Sequence, residues 1–127
     1  IQTARLAVPH GILFVIDPTN VETVVPVHEP GALVAFNHTC ISVSTQADID
    51  GDTEIMLGAA PLPTDSLTRR STSTIHAPGG ILALVSSHLQ RILEVDVPPG
   101  DVAVEVWSDD SFSPARIAIK VEEQRPA

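Results

Sequence analysis

The chain has little cysteine and no long apolar run. Its one cysteine, Cys40, excludes a disulfide within the chain and a cysteine-rich zinc site. A lone cysteine is also more usual in a reducing compartment, so we expect a cytoplasmic protein. The longest apolar stretches, GILFVI (11–16) and GGILALV (79–85), are far shorter than the ~20 residues of a membrane-spanning helix. The first residues carry no basic segment followed by an apolar one, so we expect no signal peptide.

Basic residues are also few. Seven Lys and Arg residues stand against sixteen Asp and Glu residues, which gives a formal net charge of −9 at pH 7. A surface of this sign repels nucleic-acid phosphates and anionic membranes. We therefore expect no nucleic-acid binding and no membrane binding, and a basic protein is the partner that fits best. The oligomeric state is left open.

Prolines and glycines divide the chain into short segments. With eleven prolines and seven glycines, few segments of helix length keep a helical pattern. Apolar and polar residues instead alternate, which is the period of a half-buried strand. Because each strand then has one apolar face, two sheets have to pack face to face, and we predict a single all-β domain over residues 1–127. This antiparallel β-sandwich, with little or no helix, has predicted strands near 3–8, 11–16, 22–26, 32–37, 40–47, 53–58, 71–76, 80–85, 91–97, 102–107 and 115–122.

The stretch ADIDGDTEIML (47–57) has the acidic spacing of a calcium loop. With Gly51 in the sixth position of such a loop, the first position is Gln46 and the twelfth is Leu57, and neither supplies the required carboxylate. The flanking residues alternate like strands. We therefore predict a hairpin between residues 40–47 and 53–58, closed by Asp50–Asp52, and no calcium site.

A second hairpin is predicted for residues 91–107. Pro98–Asp101 would form its loop, since proline and glycine suit the central positions of a turn. One face of the hairpin would then be apolar, and with the last strand it would supply core residues Leu93, Val95, Val97, Val102, Val104, Val106, Ile117 and Ile119. On the other face Glu94 would lie opposite Glu105, a like-charge pair that lowers stability slightly.

The acidic face of this hairpin is the predicted binding surface. It would carry Glu94, Asp96, Glu105 and Trp107, the only tryptophan of the chain. Tryptophan is frequent at interface hot spots, and acidic neighbours attract a basic partner. The alternative is that Trp107 ends its strand beneath the segment 108–114.

The histidines and the cysteine are the remaining candidates for chemistry. His38 and Cys40 are two residues apart, so in a strand they would share a face and could supply two metal ligands or a Cys–His pair. The sequence gives no third partner, which favours a buried structural cysteine beside a surface histidine. We therefore predict no cofactor and no catalytic residue. A hydrolase or small-ligand binder is the alternative function, with a pocket lined by His10, His28, His38, His76 and His88.

Three further segments resemble a known family. They are GILALVSS (80–87), ILEVDVPPGDVAVEVW (92–107) and ARIAIKV (115–121), and RLAVPHGILFVID (5–17) and FNHTCISVSTQADIDGDTEIMLG (36–58) follow the same pattern. Together they resemble the competence protein J family, small bacterial β-sandwiches that include nuclease inhibitors. The resemblance implies a compact two-sheet sandwich. It also implies a non-catalytic binding function, as an inhibitor or immunity-type partner of a basic nuclease or toxin.

Overall fold

A computed structural model describes residues 2–59 and 62–121, and most of its regular structure is β-strand. Two short 3-10 turns, Pro9–Gly11 and Asp48–Asp50, interrupt the strands. The part of the chain described contains no helix that is long and apolar enough to cross a membrane. The strands are β1 (Gln2–Leu6), β2 (Ile12–Ile16), β3 (Val34–Phe36), β4 (Cys40–Ser44), β5 (Thr53–Ala59), β6 (Thr68–Ala77), β7 (Ile81–Ser86), β8 (Arg91–Asp96), β9 (Gly100–Ser108) and β10 (Arg116–Val121).

The strands form two five-stranded sheets. The first sheet has the order β1-β5-β10-β9-β6 and the second has the order β3-β4-β2-β7-β8. Neighbouring strands are antiparallel except β5 and β10, which are parallel. The predicted all-β, two-sheet sandwich is therefore confirmed, with one parallel pair that the sequence pattern did not indicate.

One predicted strand is wrong. Residues 22–26 form a turn and irregular backbone instead. Side chains of the β3–β4 turn satisfy this backbone: Thr39 Oγ1 accepts from the Val24 N–H at 2.9 Å, and the Asn37 amide donates to the Val24 carbonyl at 2.8 Å. These bonds replace the ladder that a neighbouring strand would supply.

The core lies between the two sheets and contains the inward-facing residues of both. Seven of the eight predicted core residues are buried there. The eighth, Val95, is half-buried and packs against the core, because its strand β8 is an edge of the second sheet. The alternation of apolar residues thus identified the inward faces of β8, β9 and β10 correctly.

Neither predicted hairpin forms. Strand β4 lies in the second sheet and β5 in the first, so the chain crosses between sheets at residues 45–52. Strand β8 pairs with β7, whereas β9 pairs with β10 and β6, so the chain crosses again at residues 97–99. In both cases the two apolar faces meet across the core instead of lying side by side in one sheet.

The loops gather at the two ends of the sandwich. At one end, which we call the acidic end, residues 7–11, 45–52, 87–90 and 109–115 connect the strands. The Gln46 N–H donates to the Pro114 carbonyl there at 2.9 Å. At the other end, the histidine end, residues 37–39, 78–80 and 97–99 connect the strands, and the His76 N–H donates to the His38 carbonyl at 2.7 Å.

Candidate functional sites

The acidic end carries five exposed carboxylates on two loops. They are Asp48, Asp50, Asp52, Asp109 and Asp110. In the described residues, no ion pair joins any of these five to a basic side chain. This end of the sandwich therefore presents concentrated negative charge to solvent.

The carboxylates of the β9–β10 loop also order its backbone. Asp110 Oδ2 accepts hydrogen bonds from the Ser113 N–H at 2.7 Å and the Phe112 N–H at 2.9 Å, and these bonds lower the pKa of Asp110 below its usual value. Asp109 Oδ1 accepts from the N–H groups of Ala115 and Arg116, both at 3.1 Å. These four hydrogen bonds constrain the backbone of the loop.

Three large apolar side chains project from the same end, and one of them is Leu89, which is 77% exposed in the β7–β8 connection. Ile49 is 90% exposed in the 3-10 turn Asp48–Asp50, and Phe112 is 70% exposed in the β9–β10 loop. A surface depression of about 380 Å³ has both Asp50 and Phe112 in its wall. Exposed apolar residues within a charged rim are typical of protein-binding surfaces. The expectation that residues 47–57 bind no calcium stays a prediction.

At the histidine end, three segments bring His38, His76 and Asp101 together. His38 lies in the β3–β4 turn, and His76 on β6 is the direct cross-strand neighbour of Asp101 on β9. Asp101 Oδ1 is 3.0 Å from His38 Nε2 and 3.0 Å from His76 Nδ1, and the two rings stack with their centroids 5.4 Å apart. The hydrogen bond from His76 has the larger effect and that from His38 the next largest, and both lower the pKa of the Asp101 carboxyl below its usual value.

The cluster was not predicted, although His38 was a weak metal candidate. His76 and Asp101 are 25 residues apart in sequence, and only the register between β6 and β9 places them side by side. The favoured interpretation of this pair, a buried structural cysteine beside a surface histidine, agrees with the structure, and the two side chains do not share a face. His38 precedes the strand and is exposed, so strand alternation does not apply to it, whereas Cys40 is fully buried. Burial raises the pKa of the Cys40 thiol to about 12.

The other histidines lie elsewhere. His10 and His88 are neighbours at the acidic end, with ring centroids 5.3 Å apart. His28 holds the segment before β3 against β4: its Nδ1 is 2.7 Å from Ser42 Oγ, and its Nε2 is 2.6 Å from the Ala32 carbonyl. Because a carbonyl only accepts, Nε2 is the nitrogen that carries the proton. The five histidines therefore occupy three places and do not line one pocket.

The predicted acidic face is divided between the two sheets. Glu94 and Asp96 are exposed on β8, at the edge of the second sheet. Glu105 lies on β9 in the first sheet, where its cross-strand neighbours are Lys120 on β10 and Thr72 on β6. The expected pairing of Glu94 with Glu105 is therefore wrong, because β8 and β9 are not neighbours. A role in binding for each residue stays a prediction.

Trp107 is half-buried on the outer face of the first sheet. It packs there against a small apolar cluster, separate from the main core, of Met56, Leu62, Leu67 and Ala118. Leu62 and Leu67 belong to the segment before β6, so this segment packs against the tryptophan. On the same face, Arg69 Nη1 is 3.7 Å from Glu105 Oε2. The surroundings of Trp107 are therefore not purely acidic.

Two solved structures match the fold over nearly its whole length. ComJ from Bacillus subtilis, an inhibitor of the DNA-degrading activity of NucA, matches with a TM-score of 0.66 and 15% sequence identity, over 98% of this chain and 96% of that one. A protein described as crocagin biosynthetic gene J matches with a TM-score of 0.51 and 12% identity, over the same shares. By sequence, the chain matches no protein family and no curated protein. The resemblance to the competence protein J family is thus confirmed for the fold.

Proposed function

We propose that the chain is a non-catalytic binding protein, an inhibitor or immunity-type partner of a basic nuclease or toxin. The observation that carries this proposal is the match over 98% of the chain to an inhibitor of a DNA-degrading enzyme. The net charge of −9 supports a basic partner, because an enzyme that holds DNA presents positive charge to it. A cytoplasmic location belongs to the same proposal, since a lone, buried cysteine suits a reducing compartment.

The acidic end is the surface that suits such a partner best. Its carboxylates on residues 48–52 and 109–110 would attract a basic cleft and speed the encounter. Ile49 and Phe112 would supply apolar contact area that free protein leaves in water. The hydrogen bonds to Asp109 and Asp110 hold the β9–β10 loop in place before binding, which lowers the entropic cost of association.

A DNA-degradation assay tests the function directly. Purified NucA and a panel of other basic, non-specific nucleases are each mixed with increasing amounts of the chain, and the loss of intact plasmid DNA is followed. Inhibition that saturates at one chain per nuclease supports the proposal. If every nuclease degrades DNA at an unchanged rate with a tenfold molar excess of the chain, the inhibitor function is wrong.

A further inference from the structure

The cluster at the histidine end consists of His38, His76 and Asp101, which are residue types that bind metal ions as well as forming hydrogen bonds. Within the described residues, it is the one group of three histidine, cysteine or acidic side chains whose ligand atoms converge, all within 4.8 Å of one another. Each side chain is reachable from solvent, with exposed fractions of 61% for His38, 42% for His76 and 56% for Asp101. We propose that these three residues bind one divalent transition-metal ion, for which Zn²⁺ is the best fit.

The distances suit such an ion. Donor atoms that each lie 2.0–2.1 Å from a tetrahedral Zn²⁺ are separated by about 3.3 Å. Asp101 Oδ1 already lies 3.0 Å from both His38 Nε2 and His76 Nδ1. An ion would require displacements of a few tenths of an ångström at these two contacts. The third pair, His38 Nε2 and His76 Nδ1, lies within 4.8 Å and would have to approach to about 3.3 Å by rotation of the exposed imidazole rings. The two nitrogens would then direct lone pairs at the ion instead of N–H groups at the carboxylate.

The donor types select the class of metal. Two imidazoles and one carboxylate are the ligands of many zinc sites and of other divalent transition-metal sites. Mg²⁺ and Ca²⁺ prefer oxygen ligands, so they should not compete. Three protein ligands leave a fourth position of a tetrahedral ion, which at this exposed site would hold water or a group from another molecule.

The backbone around the cluster supports a stable site. His38 belongs to a turn of the second sheet, whereas His76 and Asp101 belong to adjacent strands of the first. The His76 N–H donates to the His38 carbonyl at 2.7 Å, and Asn37 Oδ1 accepts from the backbone N–H groups of Thr39 and Cys40 at 2.7 and 3.0 Å. The ligands are thus positioned before the ion binds, and the bound ion would link the two sheets at this end.

The test is a titration of the whole chain, made without a polyhistidine tag, with Zn²⁺. We expect calorimetry to show one ion per chain and thermal unfolding to show a saturable rise in melting temperature of several degrees, because an ion that binds only the folded chain stabilises it. Co²⁺ in the same site should give the absorption of a tetrahedral ion with mixed nitrogen and oxygen ligands. Mg²⁺ and Ca²⁺ should give neither effect.

The variants His38→Ala and Asp101→Asn should each weaken Zn²⁺ binding at least about tenfold. The matched control is the double variant His10→Ala/His88→Ala, which removes the other histidine pair, 5.3 Å apart, and should leave binding unchanged. All four side chains are exposed or nearly so, and circular dichroism without metal verifies that each variant folds. Absence of saturable binding to the parent chain, or equal loss of binding in the control, would overturn the proposal. Neither result tests the proposed inhibition of a nuclease, which the DNA-degradation assay measures separately.

Discussion

The indole N–H of Trp107 donates a hydrogen bond to Oε1 of Glu105, two residues earlier on the same face of β9, at 2.9 Å. Arg69 lies 3.7 Å from the other carboxylate oxygen, and Lys120 is the cross-strand neighbour of Glu105. This carboxylate is therefore held by groups of the chain itself. Glu105 should therefore contribute to the stability of the first sheet as well as to the negative charge of the surface.

The first prediction concerns this carboxylate. Glu105→Gln should lower the free energy of unfolding by about 1 kcal/mol, because it removes the charge that strengthens the hydrogen bond from Trp107 and forms the ion pair with Arg69. The matched control is Glu94→Gln, which affects an exposed pair with Arg91 at 3.4 Å and should change stability by less than about 0.5 kcal/mol. Urea denaturation measures both. Equal effects of the two variants would contradict the assignment.

The second prediction tests the core. Val104 is fully buried between the sheets, so Val104→Asp should cost about 3 kcal/mol or more, or prevent folding, since it buries a charge without a partner. Thr74→Asp, at an exposed position of the neighbouring strand β6, is the control and should have little effect. Thermal unfolding followed by circular dichroism compares them. A stable Val104→Asp protein would show that the sheets do not pack as described.

The third prediction concerns the apolar contacts of the acidic end. Ile49→Ala and Phe112→Ala should each weaken binding to an inhibited nuclease about tenfold or more, mainly through faster dissociation. Stability should hardly change, because both side chains are exposed. Val21→Ala is the matched control. Val21 is 97% exposed and lies in the turn after Asp17, near the histidine end of the sandwich. Unchanged dissociation rates for both variants would remove the acidic end from the interface.

The fourth prediction separates two acidic surfaces. The triple variant Asp48→Asn/Asp50→Asn/Asp52→Asn should slow association with the nuclease, most strongly at low salt, because it removes long-range attraction. If the carboxylates on β8 and β9 form the site instead, Glu94→Gln/Asp96→Asn or Glu105→Gln will have the larger effect. Surface plasmon resonance at two ionic strengths measures the association rates and identifies the surface that contacts the partner.

The fifth prediction follows from Cys40. Its pKa rises from the ordinary value of 9.0 to about 12 in the folded chain, because burial disfavours the thiolate. Between these values the unfolded chain loses the proton and the folded chain keeps it, so stability should fall as pH rises from 9, by up to about 4 kcal/mol near pH 12. The chain has no tyrosine and one lysine, so few other groups titrate there. Cys40→Ala should flatten this dependence in urea denaturation.

Much of the fold could be predicted because strand alternation is a local property. Residues such as Val102, Val104 and Val106 alternate with polar or small neighbours, and the structure buries all three. Proline and glycine indicated the breaks between strands. The same signal predicted a strand at 22–26, where side chains of the β3–β4 turn bind the backbone instead. Such a contact depends on residues about fifteen positions away, which a local pattern does not include.

By itself, the sequence determined the all-β class, the inward faces of β8, β9 and β10 and the acidic charge of the surface. Only the tertiary structure decided which strands are neighbours. An apolar face is equally well buried when the next strand lies beside it in one sheet or opposite it across the core, so alternation cannot distinguish a hairpin from a crossing between sheets. Because the chain crosses between the sheets after β8, Glu94 and Glu105 lie in different sheets. The pairing of β6 with β9 places His76 beside Asp101. The candidate sites depend on these neighbours, because a site requires groups that are close in space, whatever their separation in sequence.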